Sequence, residues 1–96
     1  MGWKVLIDRE ALKYVVSLPE KSREIVRKNL KKLGENPYPG GGKGDKEKLT
    51  YRGKTLYRLH IGRSFTAFYL VYEDKHEVKI LKVMTIERAH KEYGRL

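Results

Sequence analysis

Between Asn36 and Lys48 the sequence reads NPYPGGGKGDKEK, which places two prolines and four glycines within thirteen residues. No helix interior or central strand tolerates that density, because proline removes a backbone donor and glycine adds conformational entropy to be lost. The segment is expected to be a flexible basic loop. It divides the chain into two stretches with different hydrophobic periods. Glycines beside lysine suggest a phosphate-cradling loop, but the GxxxxGK[ST] spacing is absent and no strand leads in, so ATP and GTP binding are excluded.

Upstream, Trp3–Ile7 carries Val5, Leu6 and Ile7 and reads as a short first strand. Asp8 suits a helix N-cap. From Arg9 the apolar residues Ala11, Leu12, Val15, Val16 and Leu18 recur at helical spacing, and Pro19 marks a boundary where a second helix can start at its first position. That helix should run from Glu20 to Leu33. Ile25, Val26, Leu30 and Leu33 lie on one face, and Arg23, Arg27, Lys28, Lys31 and Lys32 on the others, with Gly34 as a left-handed C-cap.

Downstream the period shortens to that of strands: Leu49–Tyr51, Thr55–Ile61, Phe65–Glu73 and Val78–Met84 are rich in Val, Ile, Tyr and Phe. The connections Arg52-Gly53-Lys54, Gly62-Arg63 and Asp74 to His76 are short enough for hairpins, so an antiparallel meander follows. Glu87–Tyr93 should form a short C-terminal helix or extension. The expected class is α+β: an N-terminal strand, a helical hairpin packed on one sheet face, then the meander, with the other face left for solvent or a ligand. The 96 residues fit one domain, 1–96, since two cores would each bury too little apolar surface.

Charge narrows the partners. Twenty-two Lys and Arg against twelve Asp and Glu leave a formal +10, which points to an anionic partner. With no cysteine, disulfides, thiolate metal sites and thiol nucleophiles are excluded, and the three scattered histidines give a metal site no support. No cofactor is expected. Nothing approaches the roughly 20 consecutive apolar residues of a membrane span, and no secretory signal core precedes the first strand, so the expected location is the cytoplasm.

By the two-residue period of a strand, Leu56, Arg58 and His60 share one face, while Tyr57, Leu59 and Ile61 share the core face. Arg58, His60, Arg63, Arg88 and His90 are the residues that could act on a phosphate: arginine clamps it with paired hydrogen bonds, and histidine exchanges a proton near neutral pH. From spacing alone, they could equally be solvated surface charges.

Lys48-Leu49-Thr50-Tyr51-Arg52-Gly53 followed by Leu56-Tyr57-Arg58-Leu59-His60-Ile61-Gly62 resembles the central motif of RelE-branch toxins in the RelE/ParE superfamily. Leu33-Gly34-Glu35-Asn36-Pro37 resembles an upstream segment of that family, and Val78 to Val83 with Glu87-Arg88-Ala89-His90 resembles its last strand and Arg-bearing tail. The resemblance implies a RelE-like fold and a type II toxin that cleaves mRNA on the ribosome without a metal and is silenced by a small RelB-like antitoxin. In the implied reaction the 2′-hydroxyl attacks the adjacent phosphorus, leaving a 2′,3′-cyclic phosphate and a 5′-hydroxyl.

Carried over by position, Arg58 and Arg88 are the implied phosphate stabilisers and His60 or His90 the implied proton-transfer residues. Lys48, Arg52, Lys54, Arg63 and Tyr93 are further RNA- and phosphate-binding candidates. Ser64-Phe65 stands where the family has Tyr-Arg, with Arg63 the nearest cation. Two rival functions share the same fold or charge: gyrase inhibition, as on the ParE side of the superfamily, and RNA or ribosome binding without cleavage.

Overall fold

The computed structural model describes residues 2–40 and 45–94. In chain order the elements are β1 (Lys4–Ile7), α1 (Arg9–Ser17), α2 (Glu20–Lys32), β2 (Lys46–Tyr51), β3 (Lys54–Ile61), β4 (Phe65–Tyr72), β5 (Glu77–Thr85) and α3 (Ile86–Tyr93). The expected α+β order is present throughout. Asp8 caps α1 by accepting a hydrogen bond from the Glu10 amide at 3.0 Å. Pro19 serves as the N-cap of α2, one position earlier than expected, where its missing N–H also costs nothing.

The five strands form one sheet in the order β1-β5-β4-β3-β2. Strands β2 to β5 make the antiparallel meander. The first strand instead lies parallel to the last, with Val5 opposite Val78 and Ile7 opposite Ile80. Arg52 and Gly53 both take positive φ, 51° and 78°, the geometry of a two-residue hairpin whose twist matches its strands.

Helices α1 and α2 cover one face. Ala11, Val15, Val26, Leu30 and Leu33 pack there on Tyr57, Leu59, Ile61, Tyr69 and Ile80. The opposite face does not stay open as expected: α3 lies across it, placing Ala89 and Tyr93 on Phe68, Met84, Leu49 and Leu56. Alternation along β3 sorts the two cores, since Tyr57, Leu59 and Ile61 join the first and Leu56 the second.

Three local expectations are corrected. The loop ends earlier than its composition suggests, because Lys46, Glu47 and Lys48 pair with β3 as the start of β2; its tip at 41–44 lies outside the described residues. Gly34 is not among the glycines with positive φ. Its carbonyl accepts from the Trp3 amide at 2.7 Å, and a Cβ there would sit 3.2 Å from the Lys31 carbonyl and 3.4 Å from both the Trp3 carbonyl and Val5 Cγ2. Glycine is needed for close approach of β1, not for a left-handed turn. Finally, Leu12, Val16 and Ile25 are exposed, although they carry the helical apolar period.

The start of the loop is pinned by aromatics. Tyr69 Oη donates to the Pro37 carbonyl at 2.6 Å, and Tyr38 Oη donates to Glu73 Oε1 at 2.7 Å. The Tyr38 ring meets Trp3 and Tyr57 edge-on, and Trp3 stacks on His76 at 3.9 Å. The bond to Glu73 pushes the Tyr38 phenol up to about 12, and burial pushes that of Tyr69 up as well.

Candidate active site

Sheet register places Glu47 opposite Arg58, Arg58 opposite Phe68, and Phe68 opposite Lys82. Side chains directly opposite on neighbouring strands stand on one face, so Glu47, Arg58, Phe68 and Lys82 form a row across four strands. This is the α3 face. Arg58 Nη2 donates to Glu47 Oε2 at 2.8 Å, and His60 Nε2 lies 3.4 Å from Glu47 Oε1. A single carboxylate thus touches both the guanidinium and the imidazole. Arg58 is only 8% exposed, and a charge buried to that extent is tolerated when a counter-charge and hydrogen bonds accompany it.

The segment after β5 completes the face. Thr85 caps α3 by accepting from the Arg88 amide at 3.2 Å. Tyr93, one turn after Ala89, is held with its ring 4.7 Å from Phe68 and 5.0 Å from Tyr51. The Lys82 ammonium lies 5.6 Å from the Tyr93 ring centroid, and hydrogen bonding to that phenol holds the lysine pKa above its ordinary value. Such a face offers a carboxylate and an imidazole for proton transfer, two cations for phosphate, and aromatic surface for bases.

The expected residues are therefore distributed over several places. Arg58 and His60 come together, with Tyr93 on the same face. Arg88 and His90, two residues apart on a helix, fall on different flanks of α3. Arg88 is exposed and bonded to Glu92 at 3.0 Å, on the side of a cleft shared with Lys13 and Tyr14 of α1. His90 joins Arg63, Ser64 and Thr85 around a hollow of about 500 Å³ by the β3–β4 turn. Phe65 packs toward the helix-side core.

Arg52 and Lys54 sit at the β2–β3 hairpin, the Arg52 guanidinium 5.2 Å from the Tyr51 ring centroid. Lys48 pairs with Tyr57, so strand alternation turns it to the sheet face opposite Arg58. Two residues of the row were not foreseen, Glu47 and Lys82. Alternation from Leu49 and Tyr51 back to Glu47 would have found the first, had the strand been extended into the lysine-rich end of the loop. Among the described residues, no group of three His, Cys, Asp or Glu side chains is placed to hold a metal ion.

No family model and no curated protein matches the chain. Solved structures do. The archaeal RelE–RelB complex from Pyrococcus horikoshii OT3 aligns with 30% identity over 93% of this chain and 100% of that one, with a TM-score of 0.74. The toxin–antitoxin complex RelBE2 from Mycobacterium tuberculosis aligns at 16% identity over 88% and 99%, also with a TM-score of 0.74. The isolated E. coli RelE toxin aligns at 23% over 86% and 83%, with a TM-score of 0.59. The two more distant likenesses show the fold; the first, at its identity and span, shows that this chain belongs to the RelE family of type II toxins.

Proposed function

We propose that the chain is a metal-independent endoribonuclease that cuts mRNA on the ribosome, with its reaction centre on the α3 face of the sheet. The observation that carries this reading is the Glu47 carboxylate in contact with both Arg58 and His60. The Glu47–His60 pair takes the proton from the ribose 2′-hydroxyl. The freed oxygen attacks the neighbouring phosphorus, and the bond from phosphorus to the 5′-oxygen breaks. Arg58 stabilises the charge on the phosphorane, as preorganised donors do where charge develops.

Nucleophile and leaving oxygen stand on opposite sides of phosphorus in an in-line displacement. Glu47 and His60, in contact with each other, therefore serve the same end of the reaction. Tyr93, whose ring packs on Phe68, the cross-strand neighbour of Arg58, is the donor that protonates the departing 5′-oxygen. His90 and Arg88 are left with supporting roles in holding RNA.

The solved relatives from Pyrococcus and Mycobacterium are complexes with antitoxins, and we assign this chain a RelB-like antitoxin as partner. An open groove of about 740 Å³ beside β1 offers the site: Val5, Leu12, Val16 and Leu30 supply apolar lining, and Arg23, Arg27 and Lys31 also border it. That chemistry suits an amphipathic segment with apolar anchors and acidic neighbours.

Primer extension on translated mRNA tests the nuclease. Parent protein should give discrete stops, and Glu47→Gln and His60→Gln should lose them by about 10²-fold or more. Inhibition of gyrase supercoiling without mRNA cleavage would assign the ParE activity instead, and ribosome binding without either would leave a binding module.

A further inference from the structure

The residues that hold the reaction centre together also cancel one another's charge. Arg58 is paired with Glu47 at 2.8 Å, and Arg88 with Glu92 at 3.0 Å. An RNA phosphate approaching these pairs meets little net positive charge. Lys82 differs. It lies in the same cross-strand row, two strands from Arg58, and it is exposed. Among the described residues no carboxylate comes within ion-pair distance of it.

We propose, on the basis of the nuclease reading above, that Lys82 is a phosphate-binding residue of this site and supplies its uncompensated positive charge. Two inter-strand steps put its Cα roughly 10 Å from that of Arg58. The long stems of lysine and arginine close that gap onto one phosphodiester or onto two successive ones. Tyr93 restrains the ammonium: its ring lies against Phe68, and the Lys82 nitrogen stands 5.6 Å from the ring centroid, within cation–π reach. That contact restrains an otherwise exposed side chain, which lowers the entropy lost when phosphate binds. Tyr93 and the nearby Glu92 carboxylate favour the charged lysine, while partial burial and Arg88 oppose it; the balance lies toward charge.

Lys82→Met keeps an unbranched stem and removes the charge, Lys82→Arg keeps the charge, and Lys82→Gln is a second neutral variant. Each is compared with the parent for single-turnover mRNA cleavage and for binding to ribosomes programmed with 2′-O-methylated, uncleavable mRNA across a salt series. Thermal unfolding checks that the fold is intact. Loss of one single-strand phosphate contact should reduce the slope of log K against log salt by about 0.7. Cleavage should fall at least tenfold in both neutral variants, and Lys82→Arg should recover most of both properties. If the parent cleaves and Lys82→Met and Lys82→Gln match it in rate and salt slope, Lys82 is a bystander and this inference fails while the nuclease reading stands. A parent that neither binds nor cleaves overturns both.

Discussion

Glu47→Gln is the substitution that bears on fold and chemistry together. The glutamate accepts a charged hydrogen bond at 2.8 Å from a guanidinium whose side chain is 9% exposed, and its own side chain is 40% exposed. Hydrogen bonds to charged groups are worth about 1.5–3 kcal/mol. Water reaching Glu47 weakens this one, and glutamine retains a neutral acceptor, so the expected loss is about 1–2 kcal/mol. For a domain of this size that lowers the melting temperature by roughly 5–10 °C. Urea unfolding followed by tryptophan fluorescence measures the stability, and cleavage of translated mRNA measures the function. The rate should fall by about 10²-fold or more, well beyond what the lost stability explains at a temperature where the variant is folded. Repeating the substitution in Arg58→Met should cost at least about 0.5 kcal/mol less, because the partner is already gone. A variant that melts and cleaves like the parent would show that the carboxylate neither compensates Arg58 nor moves a proton.

Gly34→Ala should destabilise the protein by about 1–2 kcal/mol, since the new methyl meets two carbonyls and a valine methyl where β1 docks on the end of α2; chemical denaturation measures it. Leu12→Asp and Val16→Asp, at positions 46% and 59% exposed, should leave the toxin's melting temperature nearly unchanged yet weaken antitoxin binding at least tenfold by calorimetry, and unchanged affinity would move the antitoxin elsewhere. Tyr38 is raised from 10.0 to about 12 in the folded state by its bond to Glu73, so its stabilising effect is complete below pH 10 and disappears as pH rises through 12. Stability measured between those values should therefore fall more steeply in the parent than in Tyr38→Phe.

Element order was legible in the sequence because it depends on local periodicity and turn chemistry. The helical spacing from Ala11 to Leu18, the Asp8 cap, the strand-rich stretch after the loop and the Arg52-Gly53 hairpin each follow from neighbouring residues. Alternation on β3 also placed Arg58 and His60 on the face opposite Tyr57 and Leu59 before any tertiary contact was known. The family motif gave the overall likeness that the solved relatives support.

Pairing across strands decided the rest. Lys48 lies within the motif but faces away from Arg58, whereas Glu47, hidden in what composition marks as loop, faces it. Register is a relation between distant segments, and a shift of one residue exchanges the two faces. Gly34 has the sequence signature of a helix C-cap, but only the arrival of β1 against α2 shows why a side chain is excluded there. Leu12, Val16 and Ile25 have the same helical spacing as buried neighbours and remain exposed, because burial depends on which surface comes to meet the helix. The packing of α3 across the second sheet face likewise gathers Tyr93, Phe68 and Lys82 from three parts of the chain. Local sequence set the elements; the site formed where long-range register and helix docking brought their side chains together.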